Sequence, residues 1–208
     1  AIIHVLRCFD DDNITHVDGS VDPVRDKETI DIELQMKDLE VLEKIYDKNL
    51  RTAKSGDKKA QKILDLCSKL IDHLEKGNSI RSIDISEEER EFIEPLYLIT
   101  NKPVLYICNV DEKSAIKGNN YVTAVKNSIK NENAEVLIIA TAIESEIAEL
   151  DDLDEQKMFL NDIGLQRPGG HYLIQATYKL LNLQTYFTAG KKEVRAWTIV
   201  KGTKAPQA

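Results

Sequence analysis

A mixed α/β fold built on a parallel sheet is the class this sequence predicts, with a helical hairpin inserted into it and a β-rich segment at its end. Three observations carry the prediction. Three short apolar runs, AIIHVLRCF at the start, PVLYICN from Pro103 and EVLIIAT from Glu135, are nearly continuous rather than alternating, as strands buried on both faces are. Amphipathic helical stretches separate the runs, and a strand–helix–strand–helix–strand order calls for parallel pairing with crossover helices. From Gln184 the texture changes to TYFTAGKKEVRAWTIVKGTKAPQA, with β-branched and aromatic residues around Gly190 and Gly202. That reads as the opening hairpin of a different, β-rich domain.

After the first strand comes polar, turn-rich DDDNITHVDGSVDP, from Asp10 to Pro23. Helical spacing then takes over. Ile32, Met36, Leu39, Leu42 and Ile45 recur at three- and four-residue steps, Tyr46 and Leu50 extend the stripe, and Asp, Glu and Lys fill a solvated face. TAKSGDKK breaks the pattern at Ser55-Gly56, and a second stripe of Ile63, Cys67, Leu70 and Leu74 ends before Gly77-Asn78. Two such helices predict an antiparallel, coiled-coil-like hairpin. Alone they bury little, so the arm is expected to project from a larger body.

Ser86-Glu87-Glu88-Glu89 is a capping-box signature that starts another helix, which is expected to run until Asn101-Lys102-Pro103. Beyond the second strand, a helix from Tyr121 to Lys130 leads into the third strand, Glu135 to Thr141. Further helices are expected around Asp154 to Asn161 and Gly170 to Leu181, with Gly164 and Pro168-Gly169-Gly170 as breaks.

Composition bounds the function. A chain of 208 residues holds one good core and an appendage, and its net charge of −8 with a pI near 5.1 argues against a surface basic throughout that grips nucleic acid by counterion release. Charged residues make up 31% of the chain and no apolar run approaches a bilayer span, so a soluble protein with no membrane partner is expected. The first residues lack a signal peptide and read as a strand entered in mid-domain. Three scattered cysteines (Cys8, Cys67, Cys108) suit reduced thiols in a cytosol. Neither they nor His4, His16, His73 and His171 cluster at metal-ligand spacing, so no structural metal site is expected.

In doubly wound sheets, ligands bind beyond the carboxyl ends of the strands. Three polar segments lie there: DDDNITH, NVDEK and TAIES. Each is also an ordinary polar turn after a strand; their joint order and spacing favour a nucleotide-binding half-domain, with base-contacting loops at the second and third.

CNVDE, then LIIATAIESEIAEL, then LLNLQTYFTAGKKEVRAWTI together closely resemble the YchF/Obg-like ATPase family of translation-factor-class P-loop NTPases. RCFDDDNITHVDGSVDPVRDKETIDIELQMKDLE resembles the segment that follows the DxxG loop in that family, and TYFTAGKKEVRAWTIVKGTKAPQA the start of its TGS domain. The likeness covers essentially the whole chain. It implies part of a P-loop NTPase core at 1–30 and 99–183, an inserted helical hairpin domain at 31–98, and the start of a TGS domain at 184–208. It also implies an ATPase, cytoplasmic and acting on or near the ribosome, with ATP bound in preference to GTP and Mg2+ held by ligands outside this chain. No GxxxxGK[ST] and no DxxG occurs. A P-loop supplies the backbone N–H groups, Lys and Ser/Thr that hold phosphates and Mg2+, so the chain is expected to be a fragment that by itself hydrolyses nothing.

The NVDE loop then has a chemical reading. In an Asn-Lys-x-Asp motif the Asp accepts from the ring N–H and exocyclic amine of guanine; against adenine it faces an acceptor, at a cost of roughly 1–3 kcal/mol. Here the fourth position is Glu112, Asn109 is retained to serve either purine, and Val110 replaces the covering Lys, its backbone and short side chain meeting the base. Asp111 is the alternative: a shift of register would place it where the guanine-reading Asp belongs. Thr141 and Ala142 of TAIES correspond to the second base-side loop through their backbone N–H groups, or else simply cap a helix. His16, matching the family's HVxG run, is the candidate water-positioning group, since the family replaces the usual Gln by an apolar residue. A solvated loop histidine is the plain alternative. Asp10, Asp11 and Asp12 read as loop-capping carboxylates.

Lys191, Lys192, Arg195, Lys201 and Lys204, interleaved with Tyr186, Phe187 and Trp197, form a basic and aromatic patch opposed only by Glu193. It suits contact with ribosomal RNA, or else the aromatics are domain core and the lysines its solvated surface. DNA is not an expected partner, and oligomeric state is not legible. The competing class is a non-catalytic protein or RNA interaction module that uses the hairpin and TGS surfaces.

Overall fold

Three strands pair in parallel in the computed structural model of the chain, which describes residues 1–16, 19–132 and 134–207. β1 (Ile2–Arg7), β2 (Val104–Asn109) and β3 (Glu135–Ile139) lie in that order. Arg7 stands opposite Asn109 and Asn109 opposite Ile139, so the carboxyl ends of all three strands line up on one edge. β2 occupies the middle with five of its six residues buried, which is why VLYICN is apolar without alternation. β1 departs from that expectation. Its Ile3 and Val5 are 44% and 56% exposed while Leu6 on the other face is buried. As an edge strand it presents one face to the core and leaves the other to solvent.

Helices α4 (Asn120–Ser128), α5 (Thr141–Glu149) and α6 (Leu153–Asp162) pack Val122, Val125, Ile143, Ile147 and Leu160 against the Leu6, Tyr106 and Cys108 face. Helix α7 (Gly169–Leu180) lies against β2 and β3. A second, antiparallel sheet follows, β4 (Leu183–Ala189) with β5 (Val194–Val200). These elements and Ala1–Pro23 form one compact unit; Val24–Pro103 forms the other.

The second unit is helical. α1 (Pro23–Lys54) and α2 (Lys58–Glu75) are joined through Gly56, whose φ of +92° is a turn conformation that a side chain would resist. Asp57 caps α2 by accepting from the N–H groups of Lys59 and Ala60 at 2.8 and 3.0 Å. The expected capping box opens α3 (Glu87–Ile93): Glu89 N–H donates to Ser86 Oγ and Ser86 N–H to Glu89 Oε2. This helix stops well before Asn101. Pro95 lacks the N–H that an α-helical turn needs, so the chain tightens into a 3-10 turn over Glu94–Leu96, and Tyr97 then takes a left-handed φ of +52°. Leu42, Leu66, Cys67, Leu70 and Leu74 of the hairpin share a core with Ile80, Ile93 and Leu98 of the segment that follows. The returning chain supplies apolar surface that two helices alone lack. Among the described residues no helix is long and apolar enough to cross a membrane.

The apolar stripe expected on α1 is correct from Leu39 onward and wrong before it. Ile32 and Met36 are exposed, whereas Lys27, Gln35 and Asp38 are buried. Polar partners decide this rotation. Asp38, 1% exposed, accepts from the N–H of Ile99 (2.8 Å), the N–H of Thr100 (2.7 Å) and the Thr100 hydroxyl (2.7 Å). Gln35 donates to the Gly77 carbonyl at 3.1 Å, and Lys27 pairs with Asp31 at 2.8 Å. Burying polar groups is tolerable only when they are satisfied this way. Asp38→Ala leaves three donors, two of them buried, without an acceptor and should destabilise the helical unit by about 3 kcal/mol. Thr100→Val should cost about 1 kcal/mol, and urea unfolding midpoints of both variants against the parent measure the difference.

Candidate nucleotide-base site

Backbone pairing continues past the strand ends and knits the edge of the sheet together. Cys8 N–H donates to the Asn109 carbonyl at 2.7 Å, and Val110 N–H to the Ile139 carbonyl at 2.9 Å. On this frame the Asn109 side chain reaches across to the start of α5. Its Oδ1 accepts from both the N–H and the hydroxyl of Thr141, at 3.1 Å each. A backbone N–H can only donate, so this contact fixes which way round the amide sits and turns Nδ2 away from Thr141. Among the described residues Nδ2 has no protein partner.

Thr141 and Ala142 are therefore helical, not part of the strand, which ends at Ile139. Ala140 stands at the N-cap of α5 and has no side chain to cap with; Asn109 performs that task from the neighbouring strand. Both Thr141 and Ala142 are exposed at the helix start. Glu144, one turn on, accepts from the N–H groups of Gly169 and Gly170 at 2.6 and 3.0 Å and so holds the start of α7. A Cβ at Gly169 would stand 3.0 Å from Glu144 Oε1 and 3.1 Å from Ile139 Cγ2, so glycine permits this approach.

Val110 differs from expectation. It is 3% exposed and packs into the core with Leu6, Tyr106 and Val122, and its N–H is taken by Ile139. The side chain cannot cover a base, because an apolar residue next to the central strand is drawn to the core. Asp111 and Glu112 are exposed. Asp111 is extended, its carbonyl accepting from Ser114 N–H at 3.0 Å, and Glu112 begins a 3-10 turn over Glu112–Ser114. Neither carboxylate has a partner among the described residues.

His16 is half-buried in the loop after β1, and its carbonyl accepts from the N–H of Gly19 at 3.1 Å. Val17 and Asp18 of the THVDG run lie outside the described residues. The side-chain contacts that join Asn109 to Thr141 do not extend to His16.

Sequence reasoning missed the residues that shape this loop. Arg7, at the end of β1, donates to the carbonyls of Phe9 (3.1 Å), Ile14 (2.9 Å) and Asp11 (3.2 Å) and stacks 5.0 Å from the Phe9 ring centroid. Asn119 donates to the Cys8 carbonyl at 2.7 Å while its Oδ1 caps α4 through Val122 N–H. An Asn one residue before a helical run was a legible cap; Arg7 carried no signal. Asp11 accepts from Asn13 N–H at 2.9 Å, a loop-capping role. The Tyr121 hydroxyl donates to Asp10 at 2.9 Å, and that carboxylate holds the phenol above its usual range. Among the described residues no three His, Cys, Asp or Glu gather to hold a metal.

In the second sheet Tyr186 stands opposite Trp197, whose indole N–H donates to Thr188 Oγ1 at 2.9 Å beneath the Arg195 guanidinium, 4.2 Å from the ring centroid. Phe187 is 72% exposed.

Two comparisons agree on what shares this arrangement. The Bacillus subtilis (strain 168) protein named ribosome-binding ATPase YchF is 47% identical over 209 residues, covering 100% of this chain and 57% of that protein. The structure of the Schizosaccharomyces pombe YchF GTPase superposes with a TM-score of 0.88 at 35% identity, covering 100% of this chain and 57% of that one. The chain is homologous to the YchF/Obg-like ATPases. The Obg-like ATPase 1 of Rattus norvegicus is 38% identical over 213 residues, 53% of its length. Residues 183–208, the second sheet onward, match the family model YchF-GTPase_C, described as a protein of unknown function (DUF933). The chain thus spans little more than half the length of the YchF relatives it matches. Its fold is theirs over that span: a parallel three-stranded sheet, a helical hairpin and a separate antiparallel sheet.

The capping role of Asn109 in this YchF homologue is open to mutation. Asn109→Ala removes the acceptor for Thr141 and should lower the stability of the sheet unit by about 1 kcal/mol, whereas Asn109→Asp keeps an acceptor there and should cost less. Thermal or urea unfolding of the two variants distinguishes them.

Proposed function

We propose that this chain carries the base-reading half of a ribosome-associated nucleotide hydrolase that prefers ATP to GTP. The observation that carries the reading is the Asn109–Thr141 pair at the carboxyl edge of the sheet. With Oδ1 committed to Thr141, Nδ2 is left as a donor, and both purines offer N7 as its acceptor. Asn109 thus supplies affinity for a purine without choosing between them. The choice falls to the residues after it. Glu112 is one methylene longer than the guanine-clamping Asp and sits on a 3-10 turn, so it does not reproduce the clamp; the Val110 carbonyl is an acceptor suited to the adenine amine. Thr141 and Ala142 present the first turn of α5 to the same space. The names of the relatives support hydrolysis and ribosome binding.

Phosphates and Mg2+ require groups that these 208 residues do not contain, since no GxxxxGK[ST] occurs. The isolated chain is proposed to be inactive, and residues 184–208 to open a TGS domain. In a form extended to the full length of its relatives, fluorescent ATP should bind at least tenfold more tightly than GTP, and Glu112→Asp should narrow that ratio. Equal binding of both nucleotides, unaltered by the substitution, would defeat the base-reading assignment.

His16 is proposed to position the attacking water. In the extended form His16→Ala should lower turnover by roughly 10²-fold or more, the scale of a positioned acid–base group, and leave nucleotide affinity unchanged. Full turnover in single-turnover assays would remove it from the mechanism.

A further inference from the structure

The tip of the helical hairpin carries a concentration of positive charge that the nucleotide reading does not use. Between residues 44 and 62 there are seven cationic side chains and two anionic ones, a net of +5, in a chain whose net charge is −8. The remainder of Val24–Pro103 holds eight cationic and sixteen anionic residues, so the charge is segregated, not spread. Lys44, Lys48 and Arg51 fall within one arc of α1, with Lys54 at its edge; Lys58 and Lys59 open α2 just after the turn. All six are exposed, and among the described residues none has an ion-pair or hydrogen-bond partner. Lys62 is the exception, paired with Glu88 at 2.5 Å. One of the two acids is also spent locally, since Asp57 caps α2.

The platform under these charges is packed. Ala53, Ala60 and Leu64 form a small core at the tip with Tyr46 and Leu50, and the two alanines allow the helices to close on each other. From Lys44 to Lys54 the helix advances about 15 Å. A string of unpaired cations over that length, held on helices and lacking exposed aromatic residues, fits a phosphate backbone better than unstacked bases. A basic surface on an otherwise acidic chain also limits binding to the end that presents it.

We propose that the hairpin tip is a docking surface for the phosphate backbone of structured RNA. The choice of RNA over other polyanions rests on the ribosome-associated reading above.

The test uses the 208-residue chain and two probes, a labelled hairpin RNA and purified ribosomes. Lys48→Glu, Arg51→Glu, Lys58→Glu and Lys59→Glu are combined in one variant, and the same positions changed to Gln in a second, milder one. A control variant carries Lys37→Glu, Lys76→Glu, Lys130→Glu and Lys157→Glu, matching the change in net charge. Unaltered helical circular dichroism and urea midpoints establish that each is folded. The tip variants should bind the hairpin RNA at least tenfold more weakly than the parent near 0.1 M salt, with the salt dependence of log affinity flattened by about 3, as loss of four phosphate contacts requires. The control should remain within about threefold of the parent, since exposed cations away from the contact act only through screened, long-range charge. The proposal is overturned if the parent does not bind the RNA, or if tip and control variants lose affinity equally. It is also overturned if the tip variants release ribosomes yet keep the RNA, because the partner is then a protein surface. Ribosome co-sedimentation of the parent decides the ribosome reading separately. Its failure alongside a tip-dependent RNA affinity refutes that reading and supports RNA binding by the tip.

Discussion

Hydrogen bonding that continues beyond the ends of three parallel strands is the constraint on which the candidate site depends. Parallel pairing brings every carboxyl end to one edge, and the bonds from Cys8 to Asn109 and from Val110 to Ile139 carry the ladder into the loops. The first residues of each loop are then located by backbone geometry before any side chain acts. Arg7 and Asn119 extend that order into the loop after β1 and the start of α4. A loop that is tied down at its root can present a side chain at a defined place while its tip stays adaptable.

The helical unit solves a different problem. Its sequence is rich in charge, and a purely apolar seam between α1 and α2 leaves the start of α1 with little to pack against. Asp38 answers this by converting a helix face into a binding site for the backbone of Ile99 and Thr100. The core of Leu42, Leu70 and Leu74 thereby gains Ile80, Ile93 and Leu98 from the returning chain. A buried carboxylate is a costly way to join segments, yet it is directional, and it fixes the rotation of a helix that apolar contacts would leave loosely specified.

Much of this was legible in the sequence where one local rule governs. The capping box at Ser86, the break at Gly56, the parallel order of the three apolar runs and the β4–β5 hairpin each follow from a short motif or a period. Legibility failed where a distant partner decides. Nothing local marks Asp38 as different from the solvated acids around it, so Ile32 and Met36 were assigned to a core that Gln35 and Asp38 occupy. The length of α3 was overestimated because the capping signal was followed without the veto of Pro95. The motif singles out Asn109, but nothing local marks its bond to Thr141, thirty-two positions away. Val110 was assigned to the pocket by its place in the motif, although its position beside a buried strand favours the core.

These last two findings together reshape the chemistry of the NVDE loop. A side-chain amide that caps a helix cannot swing freely, so in the proposed base site Asn109 meets a purine with a donor already aimed. Purine N7 satisfies a donor in either base, which makes the proposed contact indifferent to identity. With the Val110 side chain withdrawn into the core, the proposed discrimination falls to the Val110 carbonyl and to Asp111 and Glu112, whose carboxylates have no partner among the described residues. On the proposed reading, affinity and specificity therefore sit on different footings: one on the hydrogen-bonded pair of Asn109 and Thr141, the other on a short exposed turn. If the proposed base-reading role holds, substituting the turn alters base preference without touching the bond that holds Asn109 to Thr141.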